Sequence, residues 1–284
     1  MSSAPFGGKD CNWTDYDAAK IIVMPVAYDH TATWLKGADL GPEAIIEASS
    51  HMELYDIETD TEVHLHGIHT FELPNIPRSP EKLAQIIRQR FATFIKDGKF
   101  PVMLGGNHSV TPGAVWALKD GFSDLSVLQL DAHADLRESY QGSMFNHACV
   151  MARVEELCPA VQVGIRSMSR EEFNRLDMAR VFFARDIFLR HDWIDKAAEL
   201  LSANVYVTID LDVFDPAKMP STGTPEPGGL DWYQVTGLLR KVAEDRNVVG
   251  FDVVELKPDK YNRAPDFMAA KLIFKFLSYI FKDR

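Results

Sequence analysis

The sequence predicts an α/β protein, a mainly parallel sheet with helices packed on both of its faces. Three observations carry this. Short apolar, β-branched runs recur along the chain with helical stretches between them. These runs are apolar at nearly every position, as strands covered on both faces must be. No internal repeat, low-complexity tract or Gly/Ser linker breaks the pattern, so residues 1–284 read as one domain.

Taken in order, the expected strands are 21–26 (IIVMPV), 66–71 (HGIHTF, the weakest), 100–105 (FPVMLG), 126–131 (SVLQLD), 161–165 (VQVGI), 181–184 (VFFA), 205–210 (VYVTID) and 248–254 (VVGFDVV). Before the 100–105 run, Leu83, Ile86, Ile87, Phe91, Phe94 and Ile95 form one helical stripe. Ser79 caps that helix, Pro80 suits its first turn and Gly98 ends it. Near the C-terminus Leu272, Ile273, Phe276, Leu277 and Ile280 cover one face of another helix.

Composition narrows the class. With 46% hydrophobic and 25% charged residues over 284 positions, the chain has the makings of a sizeable core. Thirty Lys+Arg against 41 Asp+Glu give a formal net charge of −11. No basic cluster offsets this, which argues against nucleic acid and is compatible with a cationic ligand. Cys11, Cys149 and Cys158 form no Cys-x-x-Cys pair and no disulfide framework, so a reducing, cytoplasmic setting is expected. MSSAPFGGKD lacks the apolar core of a leader, and no apolar run approaches the ~18 residues of a membrane span.

The polar residues that follow the strands carry the chemistry. GNHSV brings His108 after 100–105; DAHADL brings Asp131, His133 and Asp135 after 126–131; Asp210 and Asp212 close 205–210; Glu255 follows 248–254. In open parallel sheets ligands bind at the carboxyl ends of the strands, and scattered surface acids have no reason to choose that edge. A two-residue period places Asp131, His133 and Asp135 on one face of extended chain, and Asp210 with Asp212 likewise. His108 and the five residues Asp131, His133, Asp135, Asp210 and Asp212 make an all O/N donor set, suited to Mn²⁺, Mg²⁺, Zn²⁺ or Fe²⁺ and not to a cysteine-ligated structural zinc. Four carboxylates exceed the need of one divalent ion; two ions about 3.5–4 Å apart, sharing carboxylates and a water of lowered pKa, fit better.

Each part also has a plain reading. Asp-x-Asp alone is an ordinary strand-to-loop turn. His64, His66 and His69 in HLHGIH have metal-like spacing but no acid cluster accompanying them, which points to surface or sheet edge; His30, His51 and His191 read as structural. Cys149 near His147 reads as a small buried thiol, with no oxyanion loop to make it a nucleophile.

Together GGNHS (105–109), DAHADL (131–136), NHAC (146–149), DLDVFDP (210–216), TGTPEPGGL (222–230) and DVVELKP (252–258) resemble, in order and spacing, the ureohydrolases, the arginase–agmatinase family. Residues 28–49 resemble the family's N-terminal segment, and the whole looks most like a prokaryotic agmatinase. The resemblance implies a three-layer α/β/α fold around a mostly parallel eight-stranded sheet, two Mn²⁺ per chain, and hydrolysis of a small cationic guanidino substrate to urea and an amine. It implies that His108, Asp131, Asp135 and Asp210 hold one ion and that Asp131, His133, Asp210 and Asp212 hold the other. His147 becomes the proton shuttle and Glu255 the grip on the guanidinium. Trimers or hexamers are the implied assemblies.

Two departures stand out. Asn107 replaces the family's usual Asp and is expected to alter hydrogen bonding to the histidine ligand; Lys257 replaces Asn and is expected to bring a cation near Glu255. The loop 137–146 lacks the arginase pattern, favouring agmatine, hydrolysed to putrescine and urea, over arginine. Alternatives are guanidinobutyrate, arginine or aminopropylagmatine; more distant ones are a single-zinc deacylase and a non-catalytic metal-binding relative. Glu138, Tyr140 and Glu226 are the groups placed by sequence near the amine tail. Residues 220–229, rich in Pro and Gly, are expected to wall the site.

Overall fold

The computed structural model describes residues 5–9, 11, 15–190 and 192–284. His191 lies outside the described residues, as do residues 1–4 and 10 of the segment read as lacking a leader. In chain order the elements are β1 (Ile21–Val26), α1 (Gly41–Ser49), β2 (Ile68–Thr70), α2 (Pro80–Lys96), β3 (Phe100–Gly105), α3 (Thr111–Gly121), β4 (Leu125–Leu130), α4 (Val150–Glu155) and β5 (Ala160–Ile165). There follow α5 (Arg170–Arg175), β6 (Val181–Phe183), α6 (Ala184–Ile187), α7 (Trp193–Glu199), β7 (Asn204–Asp210), α8 (Trp232–Asp245), β8 (Asn247–Val254) and α9 (Ala264–Phe281).

The strands form one eight-stranded sheet in the order β2-β1-β3-β8-β7-β4-β5-β6, and every pairing is parallel. Parallel pairing needs a crossover between neighbours, and the helices supply it. Alternate strand residues then face opposite layers. Ile21 and Val23 belong to the core layer that includes apolar residues of α1, α7, α8 and α9; Ile22, Met24 and Val26 belong to the layer that includes those of α2, α3 and α4. This is the three-layer α/β/α fold.

Local signals hold at α2, where the Ser79 side chain accepts from Lys82 N and Gly98 adopts a positive φ beyond the helix. At α9 the sequence stripe understates the packing. Leu272 to Phe281 are all buried, because the helix lies between the sheet, α1 and α8. Among the described residues, no helix is long and apolar enough to cross a membrane.

Candidate metal centre and active site

Because all strands run the same way, their carboxyl ends share one edge, and the polar residues gather there. Neither predicted extended segment remains extended. β4 stops at Leu130, so 131–135 is loop, and Asp135 takes a positive φ of 52°. Asp210 ends β7, while Asp212 sits in a 3-10 turn, 211–213, and its N–H donates to the capping Asp210 Oδ1 at 2.9 Å. The carboxylates converge through capped turns, where the sequence reading used strand alternation. His133 N–H donates to Asp131 Oδ1 (2.6 Å) and Ala132 N–H to Asp212 Oδ1 (3.0 Å), tying the two acid-bearing loops together.

Two clusters of potential ligands result, His108–Asp131–Asp135 and Asp131–His133–Asp212, with Asp131 common to both. His108 Nδ1 is buried without a hydrogen-bond partner and faces Asp131 Oδ2 at 3.1 Å, Asp135 Oδ2 at 3.2 Å and Asp210 Oδ2 at 3.5 Å. His133 Nδ1 stands 2.9 Å from Asp212 Oδ2. Imidazole nitrogens aimed at converging carboxylate oxygens suit a pair of hard divalent cations, so this donor set fits a binuclear metal site.

The electrostatics agree. Burial, then the neighbouring Asp212 and Asp131, push the Asp210 carboxyl far above its usual range. Burial, then Asp131, lifts Asp135 to about 7, and burial lifts Glu255 to about 8. Burial also opposes charge on His108 and His133, yet the surrounding aspartates outweigh it and raise both imidazoles. Acids that keep protons and histidines that gain them mark a place that calls for positive charge.

Sequence reasoning missed the layer behind these residues. His108 Nε2 bonds Thr208 Oγ1 (2.8 Å), and Thr208 donates to Asp252 Oδ1 (2.6 Å). Asp252 Oδ2 accepts from Tyr206 (2.7 Å) and Thr111 (2.9 Å). Gln129 Nε2 donates to Asp131 Oδ2 (2.7 Å). These chains fix the orientation of the inner ligands. The available signal was a Thr, an Asp and a Gln inside otherwise apolar strands.

Glu255 also adopts a positive φ, 67°, just past β8, and its Oε1 accepts from His108 N–H at 2.8 Å. One oxygen is thus already engaged before any guanidinium arrives. His147 opens a 3-10 turn, 147–149, and burial pushes its imidazole down to about 4. A cavity of about 320 Å³ joins these groups, lined at its floor by His108, His133, Asp135, Asp210, Asp212, Glu255 and His147, with Asp131 fully buried among them. Its walls include Trp34, Leu35, Arg137, Tyr140, Ser167, Gly223 and Thr224.

Both departures act differently from expectation. Asn107 does not touch the His108 ring: it accepts from Ser109 Oγ (2.6 Å) and donates to Thr31 Oγ1 (2.7 Å), which in turn accepts from His147 N–H (3.3 Å). Lys257 is absent from the cavity wall; its stem packs by Gly37 and its charge acts on Asp259. Of the tail candidates, Tyr140 lines the cavity, Glu138 is drawn off to Arg153 and Arg175, and Glu226 bonds Ser167 (2.8 Å). His64 is buried, His66 packs on Phe281 and His69 lies on β2 at the sheet edge, none within a ligand cluster. Burial raises the Cys149 thiol to about 11, which excludes a ready nucleophile.

The arginase-family pattern matches residues 19–278. The N(1)-aminopropylagmatine ureohydrolase of Synechocystis sp. is 39% identical over 277 residues, spanning 94% of this chain and 90% of that protein. The agmatinase of Pyrococcus horikoshii is 34% identical over 263 residues, spanning 92% of each. The crystal structure of agmatine ureohydrolase of Thermoplasma volcanium superposes with a TM-score of 0.89 at 33% identity, covering 99% of this chain and 96% of that one. Likeness to a plain agmatinase is therefore not the stronger match. On a pattern that spans sheet and ligand loops alike, the chain belongs to the arginase family, the ureohydrolases.

Proposed function

We propose that this protein hydrolyses the guanidinium group of a linear guanidino polyamine, N(1)-aminopropylagmatine in preference to agmatine, with two Mn²⁺ per chain. The carrying observation is the pair of His/Asp clusters that meet at Asp131 beside Glu255. The longer substrate, only an alternative on sequence grounds, is favoured because the aminopropylagmatine enzyme shares more identity than the agmatinase, 39% against 34%.

His108, Asp131, Asp135 and Asp210 would hold one cation and Asp131, His133, Asp210 and Asp212 the other. When bound, such a pair supplies Lewis acidity that makes water nucleophilic near neutral pH. In the overall reaction a C–O bond forms, one C–N bond breaks, and both protons of the water end on the leaving nitrogen. The protein's part is orientation and proton handling. Glu255 pairs with the planar guanidinium and holds it over the floor. Neutral His147, at the cavity floor, takes up a proton and returns it to the departing amine. Two ligand clusters argue against a single-zinc deacylase, and intact Glu255 and His147 argue against a non-catalytic relative.

The test is urea release with added Mn²⁺. N(1)-aminopropylagmatine should give the highest kcat/KM, agmatine a lower one, guanidinobutyrate and arginine little, and chelator should abolish all four. A larger kcat/KM for agmatine would return the reading to agmatinase; no urea from any guanidino compound would sink it. A homo-oligomer, trimer or hexamer, belongs to the same reading and is checked by light scattering of the eluted protein.

A further inference from the structure

The floor of the cavity accounts for one end of a guanidino polyamine. The other end carries ammonium groups, which need a partner nearer the mouth. Acids are the obvious choice, yet Asp135, Asp210, Asp212 and Glu255 all belong to the floor. Glu226, beside the lining and 4.0 Å from His133 Nε2, accepts from Ser167 Oγ (2.8 Å), and the other carboxylate in the lining, Glu172, is already engaged. Its Oε1 accepts from Leu136 N–H (3.1 Å), its Oε2 from Ser169 N–H (2.8 Å), and Arg137 Nε lies 3.6 Å from that same Oε2.

Two aromatic side chains also line the wall, and they differ in availability. The face of Tyr140 is covered by the Arg137 guanidinium, 4.7 Å from the ring centroid, and its ring stands edge-on to His147. Trp34 is 68% exposed, and among the described residues no ring or cation packs on it. The loop that presents it is held in place: Gly37 N–H donates to Asp29 Oδ2 (2.7 Å) and Ala32 N–H to the Asp29 carbonyl (3.0 Å). The Leu35 carbonyl lies against Gly223, which adjoins Glu255 Oε2, so the residue next to Trp34 borders the guanidinium end while the indole itself stays largely in solvent. A large indole left in water at the mouth of a pocket gains nothing for folding.

We infer that Trp34 is the tail-binding residue, its indole face receiving the ammonium and methylene groups of the aminopropyl end. This rests on the ureohydrolase reading above. A π face attracts cations and offers an anion nothing, so the same residue favours long polycationic tails and disfavours one that ends in a carboxylate.

Urea-release kinetics of Trp34→Ala and Trp34→Phe against the native protein, both Mn²⁺-loaded, test this on N(1)-aminopropylagmatine and agmatine. Trp34→Ala should raise KM for the longer amine about tenfold, the range of a partly desolvated cation–π contact, and for agmatine less than about twofold. kcat should hold on both, and Trp34→Phe should recover most of the loss. Equal losses on both amines, or none on either, would overturn the assignment. Calorimetry of N(1)-aminopropylagmatine binding to chelator-treated protein separates the two readings. If the native protein binds the amine, Trp34→Ala binds it about tenfold more weakly, and neither amine yields urea, the tail site stands while the proposed reaction falls. Unchanged binding by Trp34→Ala sinks the tail site alone.

Discussion

At the scale of single residues, Asp131 is the pivot, because both clusters use it and Gln129 and His133 N–H fix its two oxygens. On the two-Mn²⁺ reading proposed above, Asp131→Asn should drop bound manganese from two ions per chain to below one, read by elemental analysis after dialysis; His133→Ala should lose about one ion. Behind them, Thr208→Val removes the acceptor that orients His108 and should weaken metal affinity about 10- to 100-fold with the fold retained. Unchanged affinity would show that Thr208 and Asp252 serve packing only. Of the eight candidate site residues read from the sequence, seven line one cavity and Asp131 is buried beside them, since ligand chemistry is written in residue type and in position after a strand. The supporting layer was not legible. Thr208 and Asp252 come from different strands, and only the β7–β8 register sets them opposite each other.

At the scale of elements, turns do what strand alternation was expected to do. The loop after β3 passes so close to the loop after β1 that a Cβ on Gly106 would lie 2.0 Å from the Tyr28 carbonyl oxygen. Gly106 also accepts from Glu255 N–H (2.7 Å), so the same glycine adjoins both His108 and Glu255. Gly106→Ala should therefore cost activity and thermal stability together, with metal binding impaired. The pattern GGNHS gives the glycine but not this approach, which depends on β1 and β3 being neighbours. On the opposite layer, Lys275 of α9 meets Asp56 at 3.0 Å through both carboxylate oxygens and also reaches Glu58 at 2.6 Å. Lys275→Met strands the buried Asp56 carboxylate and should cost about 3–5 kcal/mol in denaturant unfolding. Burial opposes charge on Asp56, but Thr59 and Lys275 prevail and hold its carboxyl below the usual range. That contribution is complete above the unfolded value, about pH 4, and is lost as pH falls through the folded one.

At the scale of the whole molecule, crowded acids make stability depend on metal and pH together. With no cation to offset them, burial and Asp131 raise Asp135 to about 7 and burial raises Glu255 to about 8, against about 4 when unfolded. The folded state then binds more protons than the unfolded between those values, so stability falls as pH rises from 5 to 8. The raised His108 and His133 act in the same direction and, with the two acids, outweigh His147, whose lowered value acts the other way below about pH 6.5. Added Mn²⁺ should flatten or reverse the slope, which melting curves at several pH values will read; a metal-independent profile would contradict the site. Fold class was legible throughout, because continuous apolar runs force a covered parallel sheet. The strand order was not, since it is fixed by crossovers spanning the whole chain.

The side chain of Arg284 reaches Asn247 and the Val248 carbonyl, where β8 begins, at the sheet edge remote from the cavity. A reporter, affinity handle or surface anchor joined after residue 284 would therefore leave the mouth of the pocket clear. Such attachment gives an immobilised catalyst or a single-molecule geometry in which small solutes reach the opening unobstructed.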